Sequence, residues 1–502
     1  MVSELLRLYD TKTQQKRVFT PLTPGHVRLY LCGPTVQGAP HVGHLRAAVN
    51  FDVLVRWLHC LGYQVTYVRN VTDIDDKILN KSTQAGAAWW AHAAKYERLF
   101  QRAYRELGNL PPTVEPRATG HISDQIELVQ RLIERGHAYP DGRGNVYFDV
   151  HSQKDYGSLT HQDLEEMRFT EGEGGEATVG GATPSGKRDF RDFALWKAAK
   201  EGEPETASWQ SPWGRGRPGW HLECSAMAHR YLGEEFDIHG GGLDLRFPHH
   251  ENEQAQSHAA GWGFARFWMH NAWVTMAGEK MSKSLGNTTQ FFELVKDAEP
   301  AVIRLALAGV HYRSTIEWSE QTLEVAAKTW DKFAKFVEES AALVDGADLV
   351  SPELTAAIPG EFAAAMNDDL NVAAALAVVH EHVKRGRSLF AATKIEAGAA
   401  KQLAGELQAV RAMLGVLGLD PLAAQWRVSG HTFGTNGRQS GAAEGHLGQA
   451  VAKLTSNLLD LRQQARSDKN WGLADQLRDA LTQAGFVVED TPAGATCHLP
   501  RS

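Results

Sequence analysis

The sequence is poor in cysteine, and this scarcity limits the chemistry that its thiols can serve. Among 502 residues there are four cysteines, namely Cys32, Cys60, Cys224 and Cys497. They are widely scattered and form no CxxC pair, so they cannot build the disulfide framework of a small secreted domain. A reducing compartment, the cytoplasm, is the expected location.

Long apolar runs and an excess of positive charge are also absent. No apolar run approaches the roughly 20 residues that span a bilayer, and the N-terminal residues lack a signal-peptide core. We therefore expect no membrane partner. The formal net charge of −8 argues against a general nucleic-acid binder. It does not exclude RNA, because a local basic tract such as Lys384–Arg387 can form a patch on an acidic protein.

The N-terminal third contains a strand–loop–helix–strand pattern. The segment Val27–Leu31 is apolar and typical of a buried strand, and Gln64–Val68 is typical of a second one. Between them, apolar residues recur at a helical spacing that Gly62 would end. These residues are Leu45, Val49, Val53, Trp57 and Leu61. The pattern predicts a doubly wound parallel α/β sheet, with its ligand beyond the carboxyl ends of the strands.

Four short motifs follow one another in a fixed order along the chain. They are His41-Val42-Gly43-His44, Gly219–Cys224, Pro248–Glu253 and Lys280-Met281-Ser282-Lys283-Ser284. The first lies at the predicted helix N-terminus, where backbone N–H groups favour anions. Two imidazoles there can donate to phosphate oxygens, and two lysines can neutralise a departing pyrophosphate. Taken singly, the first motif could be a turn and the last a solvated loop.

In this order the outer motifs resemble the HIGH and KMSKS signatures of class I aminoacyl-tRNA synthetases. With the ligands between them, the chain resembles the cysteinyl-tRNA synthetase family from about residue 25 to residue 498. The resemblance implies a Rossmann-like catalytic domain that activates L-cysteine with ATP and Mg²⁺, then transfers it to the terminal adenosine of tRNA(Cys). It also implies a cytoplasmic enzyme, and we expect a monomer.

The resemblance assigns site residues by position. It places the catalytic groups at His41, His44, Lys280 and Lys283. It places ATP contacts at Gly43, Gly241, Asp244 and Lys283. It places amino-acid contacts at Gly33, Thr35, Thr72 and Trp220, although Trp220 could instead be a core residue.

Four residues match the zinc ligands of the family, namely Cys32, Cys224, His249 and Glu253. Spacing alone supports one pair, because His249 and Glu253 share a face of a helix that we predict from Pro248 to Gly261. Two thiolates, an imidazole and a carboxylate suit one tetrahedral Zn²⁺ per chain. Such an ion would accept a substrate thiolate far better than the hydroxyl of serine. A pocket that worked by shape alone would discriminate by only about 1–3 kcal/mol.

Composition divides the chain into regions. We predict a catalytic domain at 1–320, a connective insertion within it at 116–215, a helical bundle at 321–428, a flexible linker at 429–447 and an anticodon-binding module at 448–502. The insertion contains a Gly-rich, acidic loop at 171–186 that is longer than the family pattern. In the last region, Arg466, Trp471, Asp475 and Asp490 resemble anticodon contacts, since such side chains bind or stack on unpaired bases. Each could equally be an ordinary surface or core residue.

Three other functions were weighed. An ATP-dependent ligase that joins cysteine to an amino sugar shares the zinc site and both nucleotide motifs, but it lacks the C-terminal module. A zinc metalloprotease needs HExxH, and Gln254 stands where the second histidine should follow His250-Glu251. A non-catalytic RNA-binding relative would be expected to have lost one of the nucleotide motifs. The first of these remains the alternative to the synthetase.

Overall fold

The computed structural model describes nine ranges of the chain: 5–162, 186–276, 278–280, 288–344, 357–390, 397–427, 432–434, 446–491 and 494–498. Residues 281–284 of the KMSKS motif lie outside these ranges. So do nearly all of the Gly-rich loop predicted at 171–186 and most of the predicted linker. None of the helices in the described ranges is long and apolar enough to cross a bilayer.

Strands and helices alternate in the first half of the chain, and helices predominate in the second. The strands are β1 (Arg7–Asp10), β2 (Gln15–Val18), β3 (His26–Leu31), β4 (Gln64–Arg69), β5 (Ala138–Pro140), β6 (Val146–Phe148), β7 (Phe193–Ala198), β8 (Gly216–Pro218), β9 (Glu235–Gly242), β10 (Phe264–Asn271), β11 (Val274–Met276), β12 (Glu279–Lys280), β13 (Ile316–Glu317), β14 (Thr432–Gly434), β15 (Val487–Thr491) and β16 (Gly494–His498). The helices are α1 (Val42–Cys60), α2 (Asp76–Gln84), α3 (Trp89–Glu106), α4 (Ile122–Glu134), α5 (Trp220–Leu232), α6 (Glu251–Ala259), α7 (Phe291–Leu294), α8 (Pro300–Ala308), α9 (Glu320–Leu343), α10 (Gly360–Asn367), α11 (Val372–Phe390), α12 (Ala397–Val416), α13 (Ala424–Arg427), α14 (His446–Ser467) and α15 (Trp471–Gln483).

The catalytic half is built on a parallel sheet of four strands in the order β10-β9-β3-β4. Leu31 at the end of β3 lies opposite Arg69 of β4 and Gly240 of β9, so the carboxyl ends of the strands meet at one edge. Helix α1 packs against β4 and helix α5 against β3. Both faces of a parallel sheet must be covered, which explains the apolar composition of β3. The predicted α/β class is confirmed.

Helix α1 confirms the helix predicted after the first motif, and Gly62 just beyond it adopts φ +86° as a stop signal requires. The helix predicted to begin at Pro248 is confirmed at its start. The turn Arg246–His250 is kinked at Phe247, whose backbone is extended, and the residues after Phe247 have helical angles and lead directly into α6. Proline suits this first position because a helix leaves its first N–H groups unpaired.

Two further sheets lie outside the parallel sheet and its core. Strands β5-β6-β7-β8 form an antiparallel sheet within the predicted insertion, around buried side chains such as Phe148 and Trp196. The C-terminal unit packs α14 and α15 on β15 and β16, with Cys497 buried in its small core. Strand β14 pairs with β16, so residues 432–434 belong to a sheet rather than to a linker. Thr432 and Phe433 favour a strand within a Gly- and Ser-rich segment.

The parallel sheet and the helical region that follows it share one hydrophobic core. Trp330, Phe333 and Val337 of α9 belong to the same buried cluster as Leu29 and Tyr30 of β3. These three side chains lie on the apolar stripe that the sequence predicts for this helix. The division at residue 320 is therefore a change of secondary structure and not a break in packing.

Candidate active site and metal centre

The predicted site residues of the catalytic half converge at the carboxyl edge of the parallel sheet. Cys32 directly follows β3, and Thr72 lies three residues beyond the end of β4. Gly241 is the last residue but one of β9. Cys224 lies in the second turn of α5. This edge is where the topology predicts a ligand, because loops diverge there and leave a crevice.

The four candidate zinc ligands lie together as a buried cluster. Their ligand atoms, from Cys32, Cys224, His249 and Glu253, all lie within 4.8 Å of one another. The two Sγ atoms are 3.7 Å apart, and the Nε2 of His249 is 3.0 Å from the Oε1 of Glu253. Burial, the mutual distances and the mixture of sulfur, nitrogen and oxygen donors all fit a tetrahedral zinc ion.

The charges in this cluster favour a cation. Burial raises the pKa of Cys224, but the hydrogen bond from Cys32 and the charge of His249 lower that pKa to about 6. Burial also raises the pKa of Glu253, yet the imidazoles of His239 and His249 hold it well below its usual range. Ionisation of Cys224 and Glu253 is thus favoured, and these two groups, despite burial, raise the pKa of their counter-charge His249 to about 10. Cys32, whose pKa burial raises well above its usual value, must lose its proton on ligation.

A second group of polar side chains surrounds the ligands, and the sequence did not identify it. The Nε2 of His239 donates to the Oε2 of Glu253 at 2.8 Å, and the Nδ1 atoms of His221 and His249 are 3.0 Å apart. A second set of possible metal ligands shares two residues with the first. Its ligand atoms also lie within 4.8 Å of one another, and its members are Cys32, His239, His250 and Glu253. Partners of this kind orient metal ligands. A signal was available for His221, which lies three residues before Cys224 on α5 and so shares its face. Strand β9 is buried at every position from Phe236 to Gly241, so alternation did not single out His239.

The amino-acid candidates line the approach to the metal cluster. Trp220 is half-buried and its ring stacks on His249, with centroids 4.0 Å apart, so it borders the site and is not a core residue. Thr35 pairs with Thr72 through a backbone bridge. The N–H of Gly33 donates to Asn70 at 2.8 Å, and a Cβ at Gly33 would collide with the Asn70 carbonyl.

Glu223 is a buried carboxyl in the same place. The Thr72 hydroxyl donates to its Oε2 at 2.9 Å, and only 1% of the residue is exposed. Burial, and then the negative charge of Cys224, raise the pKa of Glu223 well above its usual range. Sequence reasoning missed this residue because a Glu in the first turn of a helix is usually a solvated, dipole-compensating group.

The first nucleotide motif lies at the N-terminus of α1. The rings of His41 and His44 stack with centroids 3.6 Å apart, and the His41 N–H donates to the Nδ1 of His44 at 3.3 Å. Since Nδ1 accepts, the proton of a neutral His44 resides on Nε2, which can donate to a ligand. Gly43 allows this arrangement, because its Cβ would lie 3.2 Å from the His41 ring.

Segments that flank the second nucleotide motif approach the first. Val42 donates to the carbonyl of Thr289 at 3.1 Å, and Phe291 donates to that of Pro40 at 3.1 Å. The backbone of Lys280 pairs with Thr275 as part of β12. Lys283 lies outside the described residues. Thr289 and Phe291, which follow the second motif in the sequence, therefore lie beside the HVGH loop.

Glycines of β9 are required by close packing. A Cβ at Gly240 would lie 2.2 Å from the Phe51 ring, and one at Gly241 would lie 2.8 Å from His250. Asp244 follows in a short 3-10 turn and is partly exposed. The glycines thus bring β9 against α1 and the histidine turn, in addition to any contact with a nucleotide.

The four anticodon candidates divide into two pairs. Asp490 forms ion pairs with Arg466 at 2.7 Å and with Arg462 at 2.7 Å, and the hydrogen bond from Arg462 holds the pKa of Asp490 well below its usual range. Trp471 and Asp475 are four residues apart on α15, and both are exposed, Trp471 by 59%. These two present an aromatic face and a hydrogen-bond acceptor to solvent, whereas Arg466 and Asp490 bind each other.

Three family models match consecutive parts of the chain. The tRNA synthetases class I (C) catalytic domain matches residues 18–328. The DALR domain matches residues 361–419, and the cysteinyl-tRNA ligase anticodon binding domain matches residues 453–496. The last match favours a synthetase over the amino-sugar ligase, which lacks such a module.

Characterised relatives resemble the chain over nearly its full length. The cysteine–tRNA ligase of Beutenbergia cavernae is 56% identical over 98% of this chain and 98% of its own length. That of Streptomyces coelicolor is 54% identical over 97% of this chain and 74% of its own length. Among solved structures, Mycobacterium tuberculosis methionyl-tRNA synthetase in complex with methionyl-adenylate superposes with a TM-score of 0.55 at 16% identity. This superposition covers 79% of the present chain and 90% of the methionyl-tRNA synthetase chain, and it shows that the two have the same fold. The catalytic match, the anticodon-domain match and the full-length identity together establish that the chain belongs to the cysteinyl-tRNA synthetase family of class I synthetases.

Proposed function

We propose that this chain is a cysteine–tRNA ligase that converts L-cysteine and ATP to cysteinyl-adenylate and pyrophosphate, then transfers the cysteinyl group to the 3′-terminal adenosine of tRNA(Cys). The observation that carries this proposal is the buried cluster of Cys32, Cys224, His249 and Glu253 at the same sheet edge as the HVGH loop. This placement supports a thiol-selecting site and a phosphate-binding site that would lie side by side at one edge of the sheet.

The metal cluster is proposed to hold one zinc ion per chain. When bound, zinc supplies a coordination position that takes a thiolate and disfavours a hydroxyl, which distinguishes cysteine from serine. The chain's own residues orient the ligands: His221 holds His249, and His239 holds Glu253. Trp220 covers His249 and narrows the approach for the amino-acid backbone.

The nucleotide side is proposed to work by electrostatic stabilisation. The cysteine carboxylate attacks the α-phosphate of ATP, and negative charge develops on the phosphate oxygens. His41 and His44 would donate to these oxygens, with Lys280 and Lys283 neutralising the leaving pyrophosphate alongside Mg²⁺. Gly43, Gly241 and Asp244 are proposed contacts of ATP, and Gly33, Thr35 and Thr72 of the amino acid.

The C-terminal module is proposed to bind the anticodon of tRNA(Cys). Trp471 and Asp475 are the better-placed contacts, because both are exposed on one face of α15. Arg466 and Asp490 would have to exchange their mutual ion pair for contacts with a base. We propose a cytoplasmic, monomeric enzyme.

The direct test is ATP–pyrophosphate exchange with each of the twenty amino acids, followed by charging of total tRNA. We expect exchange with cysteine and not with serine, and charging of tRNA(Cys) alone. Exchange with cysteine but no charging, with product formation on an amino sugar, would identify the alternative ligase instead.

A further inference from the structure

Arg46 of α1 is a fully buried arginine whose hydrogen bonds run to backbone carbonyls. Its Nη1 donates to the carbonyl of Trp273 at 2.7 Å, and its Nη2 donates to the carbonyls of His311, at 3.2 Å, and of Ser314. Burial lowers the pKa of Arg46 to about 10, so the guanidinium remains a cation at neutral pH, and no acidic side chain in the described part of the chain offsets this burial. A buried cation without a counter-charge is costly, and an apolar side chain would fill the space more favourably. Packing therefore does not explain this arginine.

The carbonyls that accept from Arg46 belong to the segments that carry the second nucleotide motif. Trp273 immediately precedes β11, and its carbonyl also accepts from the N–H of Ile316 in β13 at 3.1 Å. Strand β11 pairs with β13 on one side and with β12 on the other. Strand β12 ends at Lys280, the first residue of the candidate KMSKS motif, and the backbone of Lys280 lies opposite Thr275 of β11. Arg46 thus attaches α1 to the small sheet that presents this motif.

The same helix carries the first nucleotide motif. His41 caps the N-terminus of α1 and His44 lies two residues before Arg46. In the proposed reaction both motifs must reach the phosphates of one ATP molecule, so the spacing between them matters. Backbone carbonyls are suited to fix such a spacing, because their positions are set by the strand itself and not by the rotamers of side chains.

We propose that Arg46 is a positioning residue for adenylate formation. Its guanidinium holds the sheet that begins the KMSKS motif at a fixed distance from the HVGH motif, so that both motifs bind the phosphates of the same nucleotide. This inference rests on the proposed function in that the reaction consumes ATP.

The same bonds could instead serve only to stabilise the fold. The two roles differ in two measurable respects. A purely structural tie would lower stability and leave the folded protein with its normal rate, whereas a spacing role slows adenylate formation in protein that is folded. A spacing role also acts through Lys280, so its effect should disappear once Lys280 has no charged side chain to position.

The experiment is a double-mutant cycle on the full-length, zinc-loaded protein, with Arg46→Met, Lys280→Ala and the two together. Pre-steady-state formation of cysteinyl-adenylate is measured. We expect Arg46→Met to slow this step by about 10- to 100-fold, because a small misplacement of reacting groups has an effect of that size. In the Lys280→Ala background the same substitution should slow it further by less than about three-fold. The dissociation constant for cysteine should change by less than about two-fold, since the candidate metal ligands lie on other segments.

Arg411→Met is the matched control. Arg411 is a second buried arginine, and it pairs with Asp420 at 3.0 Å in the helical region. Its loss should lower stability and leave the rate of adenylate formation unchanged. If Arg46→Met fails to fold, Arg46→Lys supplies the same cycle, because its single ammonium keeps the charge and cannot reach all the carbonyls that the two guanidinium nitrogens reach.

A parental rate in a folded Arg46 variant would overturn the positioning role. So would a loss of rate that is equally large with and without Lys280, since Arg46 would then act independently of the second motif. Failure of the parent itself to form an adenylate from cysteine and ATP would count against the proposed function instead, which makes the two failures distinguishable.

Discussion

Single residues decide the chemistry of the metal centre. Cys32 and Cys224 have sulfur atoms 3.7 Å apart, yet their surroundings differ. The charge of His249 and the hydrogen bond from Cys32 favour the Cys224 thiolate, whereas burial beside Cys224 keeps Cys32 protonated. Cys60 has neither neighbour, and burial raises its pKa to about 11. The same residue type is therefore suited to metal ligation at one place and to packing at another.

Cys224→Ser should lower zinc retention by at least about 10- to 100-fold, the loss seen even for residues that only support a ligand. The reason is that a serine hydroxyl stays protonated where the thiolate would bind. Metal content after dialysis against a chelator measures the effect. The control is Cys60→Ser, which should retain the metal of the parent. Equal zinc content in the two variants would exclude Cys224 as a ligand.

Lys283→Ala should slow adenylate formation by about 10²–10³-fold, the loss expected on removing one preorganised donor from a charged transition state. Cysteine binding should be unchanged, because the lysine is assigned to the phosphates. Pre-steady-state formation of adenylate measures the rate. Lys296→Ala is a control of the same kind, since Lys296 is an exposed lysine paired with Glu293 a short distance along the chain. Parental rates in the Lys283 variant would remove it from the mechanism.

At the scale of elements, one buried ion pair joins the HVGH helix to the helical region. Arg304 of α8 is fully buried and bonds to Asp52 of α1. It also donates to the carbonyls of Leu107 and Leu417, at 2.9 and 2.8 Å. Three segments far apart in the sequence thus share one guanidinium. This junction fixes α1, and with it the HVGH motif at its N-terminus, against the rest of the molecule.

Asp52→Asn should destabilise the protein by about 3–5 kcal/mol, because it leaves Arg304 buried without a full counter-charge. Although burial raises the pKa of Asp52, Arg304 and Arg56 lower it on balance. A depressed folded-state pKa contributes stability above the unfolded value of about 4, and this contribution is lost as pH falls through the folded value. The difference between parent and variant should therefore be constant near neutrality and shrink below about pH 4.

Denaturant unfolding at several pH values measures this difference. Asp331→Asn is the control, since Asp331 pairs with Lys335 on the exposed side of α9. It should change stability by no more than about 0.5 kcal/mol at any pH. A pH-independent difference for Asp52→Asn would mean that its ionisation does not support the junction.

At the scale of the whole molecule, the C-terminal unit has a small core that is separate from the large core and from the core of the insertion around Phe148 and Trp196. The large core runs from β1 to the turn after α12. The small C-terminal core is formed by Leu459, Leu481, Ala495 and Cys497. Strand β14 belongs with the small unit through its pairing with β16. The two half-reactions can therefore be separated by a single cut ahead of β14.

Truncation after residue 428 should preserve ATP–pyrophosphate exchange and impair tRNA charging. Exchange needs the metal cluster and the nucleotide motifs, all of which precede Trp318. Charging should lose about 1–3 kcal/mol for each missing base contact. The two activities are measured side by side on both proteins. In the full-length protein, Trp471→Ala should also reduce charging and leave exchange intact. Full charging by the truncated protein would discard the anticodon assignment.

The sequence by itself determined the parallel α/β class and α1 with its stop at Gly62, because local periodicity and turn chemistry are displayed directly by a linear chain. The four clustered residues Cys32, Cys224, His249 and Glu253 were predicted through the family resemblance, since spacing alone supported only His249 and Glu253. Only the tertiary structure identified Glu223, His221 and His239 as parts of the site. Their roles depend on residues distant in the chain, such as Thr72, 151 positions away, that folding brings within hydrogen-bond distance. It also decided that β14 joins a sheet, because strand pairing is settled by packing between elements and not by local composition.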